Sequence, residues 1–95
     1  MTVYVVAQLS FTDEPRYRQY QARFGEAFAG HNGRVLAADE APQVLEGDWP
    51  LSKLVMLEFQ DEPAARGFLD SPLYREISVD RDAGAQTKAV LVKGL

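Results

Sequence analysis

Two stretches of this chain, LSFTDEP from Leu9 and LEFQDEP from Leu57, fit one pattern, L-x-F-x-D-E-P, with 48 positions between their starts. Each ends an apolar run on a phenylalanine, Phe11 or Phe59. Two residues later an aspartate, Asp13 or Asp61, is placed to accept hydrogen bonds from the first free amides of a helix. Glu14-Pro15 and Glu62-Pro63 follow in the first turn, where an acid suits the helix dipole and a missing N–H costs little. The chain therefore contains two strand-to-helix junctions, and a shared junction explains the echo as well as duplication does.

The remaining elements fall around these junctions. VYVVAQL (Val3–Leu9) and KLVMLEF (Lys53–Phe59) are rich in β-branched and aromatic residues and are bounded by turn formers, so both read as strands. RVLAA (Arg34–Ala38), continued by QVLE (Gln43–Glu46), reads as another, interrupted at Pro42, which has no amide to donate. KAVLVKG (Lys88–Gly94) is the fourth. After Asp13, Tyr17, Tyr20, Phe24, Ala27, Phe28 and His31 recur at helical spacing, and Asn32-Gly33 supplies a left-handed stop. A shorter stripe of Ala64, Ala65, Phe68 and Leu69 follows Asp61. Ser71 and Pro72 then restart a helical turn, with Ser71 as its cap and Leu73, Tyr74 and Ile77 facing inward. The order is β-α-β-β-α-β. This is an α+β, ferredoxin-like sandwich, with helices on one face of an antiparallel four-stranded sheet.

That arrangement leaves the other sheet face open. Val5, Ala7 and Leu9 share a side with Lys53, Val55 and Leu57 if the echo sets the register. Tyr4, Val6 and Gln8 then share the opposite side with Leu54 and Met56, which is still largely apolar, whereas a solvated face alternates to polar residues. A greasy patch across four strands is unusual for a monomer. The expected partner is a second copy of the chain, packed on the open face about a twofold axis.

Composition narrows the function. Ninety-five residues make one domain, 1–95, and 46% apolar with 25% charged residues is the balance of an ordered globular chain. There is no cysteine, which removes disulfides, thiol nucleophiles and thiolate metal sites, and a single histidine argues against a tightly held transition metal. No metal and no cofactor are expected. A net charge of −4 leaves no basic footprint for nucleic acid and repels anionic membranes, and no apolar run approaches the roughly 20 residues of a membrane span. The N-terminal MTVYVVAQLS reads as a strand rather than a secretory signal, so a cytoplasmic location is expected.

HNGRVL, VLEGDWP, the run into LEF, and DSPLYREI together resemble the family catalogued as domain of unknown function 1330, within the dimeric α/β-barrel superfamily. The resemblance spans essentially the whole chain. It implies a ferredoxin-like protomer whose sheet pairs with that of its partner to form a barrel. Superfamily relatives include cofactor-free monooxygenases, isomerases and haem peroxidases, so the fold alone selects no chemistry. Asn32 stands where many members of the family have glycine.

Six residues are candidates for a site. His31 titrates near neutrality and reads either as a general acid or base, or as a helix-end residue interacting with free carbonyls. VLEGDWP holds the only tryptophan, Trp49, in a turn-forming segment. The indole, with Glu46 and Asp48, reads as a ligand-binding pocket wall, or else Trp49 folds over a barrel end or subunit interface. Tyr74 offers a phenol to the same cavity or belongs to the core. Gln8, polar in an apolar strand, lies at an edge or lines a wet cavity. Three functions fit: a cofactor-free, monooxygenase- or isomerase-like enzyme on a small apolar or aromatic metabolite; a non-catalytic binder of such a ligand; and a structural or partner-binding dimer with a filled barrel.

Overall fold

Both junctions form as their sequence dictates. In the computed structural model, which describes residues 1–50 and 52–95, strand β1 (Val3–Phe11) leads into α1 (Glu14–Phe28), and β3 (Lys53–Phe59) leads into α2 (Glu62–Leu69). The Asp13 carboxylate accepts from the Arg16 amide at 3.3 Å, and that of Asp61 from the Ala64 amide at 2.9 Å. Between the two units lies β2 (Gly33–Asp39), and the chain finishes with α3 (Pro72–Gly84) and β4 (Ala85–Lys93). The sheet is antiparallel throughout, in the order β2-β3-β1-β4. Three helices cover one face, and overall extents of 31 × 31 × 15 Å leave room for only these two layers. This is the ferredoxin-like βαββαβ arrangement, its second helical segment divided in two.

The register places Val5, Ala7 and Leu9 opposite Leu57, Val55 and Lys53, so these six share the helix-covered side as expected. Phe59 joins them in one core with Phe68 of α2 and Ile77 of α3, the largest fully buried side chains among the described residues. Tyr17, Tyr20, Phe24 and Phe28 run along α1 with successive ring centroids 5.2–5.9 Å apart, a spacing at which aromatic pairs add to burial. The opposite side carries Tyr4, Val6, Leu54 and Met56, flanked on β4 by Val90 and Val92, which are 59% and 43% exposed. No helix among the described residues is long and apolar enough to cross a membrane.

Three boundaries and one helix cap differ from the sequence reading. Strand β2 stops at Asp39, and Gln43–Glu46 forms no strand. The Asp39 carboxylate turns back to accept from the Ala41 amide at 2.9 Å, which bends the chain off the sheet before Pro42. Helix α1 stops at Phe28, because left-handed Gly30 (φ +81°) and Asn32 (φ +54°) both interrupt it, leaving His31 in a turn. Strand β4 begins at Ala85 rather than Lys88, since β1 runs on to Phe11 and offers it a ladder. Ser71 stands at the head of α3, but its hydroxyl donates to the Phe68 carbonyl at 2.7 Å instead of capping. The Phe68 carbonyl also accepts from the Ser71 amide at 3.1 Å, so the hydroxyl closes the turn between the two helices.

Candidate functional site

Helix spacing builds one wall of a cavity and strand alternation the other. Tyr17, Tyr20, Gln21 and Phe24 fall on one stripe of α1 and face Val5, Ala7 and Leu9 of β1 and Val55 and Leu57 of β3. Between these layers lies a cavity of about 260 Å³, closed further by Leu69 and by Tyr74 and Arg81 of α3. The layers do not meet fully because small residues, Ala7 and Ala89, occupy the floor where larger side chains would fill the space.

Its polar wall is a short network. Tyr74 and Arg81 are seven residues apart, two turns of α3, and so share a face. The Arg81 Nη1–H donates to Tyr74 Oη at 2.8 Å, and the Tyr74 and Tyr20 hydroxyls lie 3.1 Å apart. Each phenol has one proton to donate. The Tyr20–Tyr74 bond uses one of the two, so this network leaves one phenol O–H for a ligand, whichever way it runs. The guanidinium sits 5.8 Å from the Tyr74 ring and 5.9 Å from that of Tyr20, placing a positive charge behind the donor. Burial, and then the neighbouring Tyr74 hydroxyl, push the Tyr20 phenol far above its ordinary pKa, which makes it a neutral donor rather than a base. Burial opposes the charge on Arg81, but Tyr74 and Asp82 outweigh it and hold the guanidinium above its usual value.

A second polar group enters at the Lys53 end. Lys53 is 3% exposed, with Nζ 4.9 Å from the Tyr17 ring centroid and 3.4 Å from Glu40 Oε2. Glu40 is held at the surface by two bonds from Arg18, at 2.6 and 2.9 Å, which lower its carboxyl pKa to about 2. Thr87 of β4 and Lys53 of β3 both pair with Leu9, on either side of it. The Thr87 hydroxyl is buried and has no hydrogen-bond partner among the described residues.

Of the six residues proposed from sequence, the structure brings Tyr74 to this cavity. His31 lies in the turn after α1, half-buried, its ring 5.5 Å from that of Phe68 and away from the cavity. Gln8 points to the open sheet face, between Leu54 and Lys88. Glu46 and Asp48 are exposed in the connection after β2, where Gly47 takes a φ of +79°, and Trp49 beside them is 37% exposed. None of these three lines the cavity. Sequence reasoning passed over Tyr20, Lys53, Arg81 and Thr87 as site residues. For Lys53 a signal existed: a lysine assigned to the same strand face as Val55 and Leu57 must lie under the helices. For Arg81 the signal was its two-turn spacing from Tyr74. Among the described residues, no group of three or more His, Cys, Asp or Glu side chains is arranged to hold a metal ion.

Fold and cavity together define a ferredoxin-like protein with a small-molecule-sized space between its layers. The chain belongs to the domain of unknown function 1330 family (DUF1330), which it matches over residues 2–95. Among solved structures it is similar to RPA0582, a protein of unknown function from Rhodopseudomonas palustris, with 18% identity and a TM-score of 0.82 over 99% of this chain and 82% of that one. It is also similar to SnoaB, a cofactor-independent oxygenase from Streptomyces nogalater, at 20% identity and a TM-score of 0.75, covering 99% of this chain and 93% of that one. A dimeric ferredoxin-like protein of unknown function from Thermobifida fusca shares 15% identity, with a TM-score of 0.71 over 99% and 92% of the two chains. At these identities the likeness speaks to the fold. No curated protein matches the chain.

Proposed function

We propose that this protein is a cofactor-free enzyme, working as a homodimer, that transforms a small apolar or aromatic metabolite held between its sheet and its helices. The observation that carries this reading is the cavity of about 260 Å³, largely apolar, with a phenol donor backed by a half-buried guanidinium. Aromatic walls offer a flat ligand stacking and edge contacts on the α1 side. The free phenol O–H then meets an acceptor oxygen of the ligand, and the positive charge behind it favours negative charge developing on that oxygen. A carbonyl treated this way becomes more acidic at its α-carbon, and a phenol at its own O–H, the activation that isomerase-like proton transfer and cofactor-free oxygenation both require. Likeness in fold to a cofactor-independent oxygenase supports the second of these. The apolar open face, with Val90 and Val92 well exposed in a lone protomer, supports pairing with a second copy, as does likeness to a dimeric ferredoxin-like protein.

A panel of aromatic ketones and phenols, followed both by oxygen consumption and by exchange of substrate hydrogens with heavy water, separates the two chemistries. Tyr74→Phe breaks the network without emptying space and is expected to lower turnover by about 10²-fold, the usual loss for one such donor. Ligands that bind with neither oxygen uptake nor exchange make the protein a binder and overturn the enzymatic reading. A panel that neither binds nor reacts, with the cavity intact, overturns the pocket reading as well.

A further inference from the structure

We propose that the ligand of this cavity is an organic carboxylate, an apolar or aromatic body whose single negative charge is met by Lys53 with a hydrogen bond from Thr87. The inference rests on the small-molecule reading above and adds the charge and orientation of the ligand. Three observations carry it.

The first is the sign of the lining. The chain carries a net charge of −4, yet among the described residues that line the cavity the charged ones are Lys53 and Arg81, both cations. A cavity that holds two positive groups and no acid within an acidic protein is selective for an anion.

The second is which cation lacks a counter-ion of its own. Arg81 has Asp82 as its partner, to which Nε and Nη2 donate at 3.2 and 3.1 Å, while Nη1 donates to Tyr74 at 2.8 Å. Lys53 has three N–H donors and a single long hydrogen bond, 3.4 Å to Glu40, whose two oxygens already accept the shorter bonds from Arg18. An ammonium 3% exposed with most of its donors unpaired is costly to bury, and an incoming carboxylate relieves that cost.

The third is the Thr87 hydroxyl, buried without a partner on the same inner row of the sheet, across Leu9 from Lys53. A buried hydroxyl left unbonded is uncommon in folded proteins, and a ligand oxygen is the partner this one lacks. One cation that shares its counter-ion with Arg18, together with one hydroxyl, suits a monoanion. A phosphate dianion would need a second cation without its own carboxylate, and Arg81 is already paired with Asp82.

With its carboxylate at Lys53, the body of the ligand extends over Leu9 and Tyr17 towards Tyr20 and Tyr74. The phenol donor therefore faces the part of the molecule remote from its charge.

The test compares 2-naphthoate with its neutral isostere 2-naphthamide by titration calorimetry on the intact protein. A hydrogen-bonded charge contact of this kind should make naphthoate bind about ten-fold more tightly than naphthamide. Lys53→Met should erase that preference by weakening naphthoate far more than naphthamide, and Thr87→Val should weaken naphthoate more than naphthamide. Should either variant fail to fold, the preference in the wild-type protein, and its loss on raising salt, still decide the sign of the ligand. Equal binding of the two probes overturns the carboxylate while leaving an apolar cavity in place. A preference that survives Lys53→Met but disappears in Arg81→Gln overturns the placement. Binding of neither probe removes this inference and the pocket reading beneath it.

Discussion

Tyr74 and Lys53 show how a single side chain can hold two roles. Tyr74 is 7% exposed and sits among Phe24, Phe68 and Tyr20, so by area it is a core residue, and its hydroxyl alone makes it part of the cavity wall. Tyr74→Phe should therefore cost only about 1 kcal/mol of stability, the net worth of a hydrogen bond, measured by urea denaturation alongside the loss of turnover. Lys53 is steadied through Glu40, whose carboxyl has an ordinary pKa of 4.5 and is brought to about 2 chiefly by the Arg18 bonds. A carboxyl with a depressed folded pKa stabilises the protein above its unfolded pKa and loses that contribution as pH falls towards the folded value. Stability owed to Glu40 should thus be full above about pH 5 and fall away between pH 5 and 2. Because Glu40 is 41% exposed, solvent screening limits the effect to less than about 1 kcal/mol. Glu40→Gln should flatten that part of an acid-unfolding profile, and an unchanged profile would show that the Arg18 pair contributes nothing.

Elements meet where glycine permits it. At Gly84 the end of α3 crosses the start of α1: its carbonyl accepts from the Thr12 and Asp13 amides at 2.9 and 3.0 Å. A β-carbon there would lie 2.4 Å from the Tyr17 amide nitrogen and 2.8 Å from the Asp13 carbonyl oxygen, both backbone atoms that have no rotamer to escape through. Gly84→Ala should push α1 and α3 apart and destabilise the fold by about 2–3 kcal/mol, read as a lowered urea midpoint at unchanged slope. The same contact sets the separation of Tyr17 from β4, so the variant should also weaken ligand binding. Ion pairs Arg16–Asp80 and Arg23–Glu76 bridge the same two helices nearer solvent, where such pairs add little. The close backbone approach, not the charges, fixes the spacing of the helices over the cavity.

The whole molecule is a two-layer slab with one apolar side uncovered. Val90, 59% exposed at the centre of β4, pairs with Val6, which pairs on its other side with Met56. A lysine at position 90 has little to disturb in a lone protomer but would be buried in a sheet-to-sheet dimer. Sedimentation velocity at micromolar concentration should show the wild-type protein as a dimer and Val90→Lys as a folded monomer with an unchanged circular dichroism spectrum. A wild-type monomer under those conditions removes the homodimer from the proposed function, while the cavity, which one protomer forms from its own residues, remains.

The sequence by itself determined whatever depends on neighbours within a few positions. Two aspartate-capped junctions, the sides taken by Val5 and Tyr4, and the aromatic stripe from Tyr17 to Phe28 follow from local hydrogen bonding and from periods of 2 and 3.6, which act at short range. That reasoning also put Lys53 on the strand side of Val55 and Leu57, and left Tyr74 between the core and a cavity wall. Tertiary structure alone decided that Gln43–Glu46 finds no partner strand, that Ser71 serves α2 instead of α3, and that His31 and Trp49 stand apart from the cavity. It alone set Lys53, Thr87 and Arg81 around one space. An unfilled volume is the remainder left after two layers pack, and its size and lining depend on all the contacts at once, so no short stretch of residues encodes it.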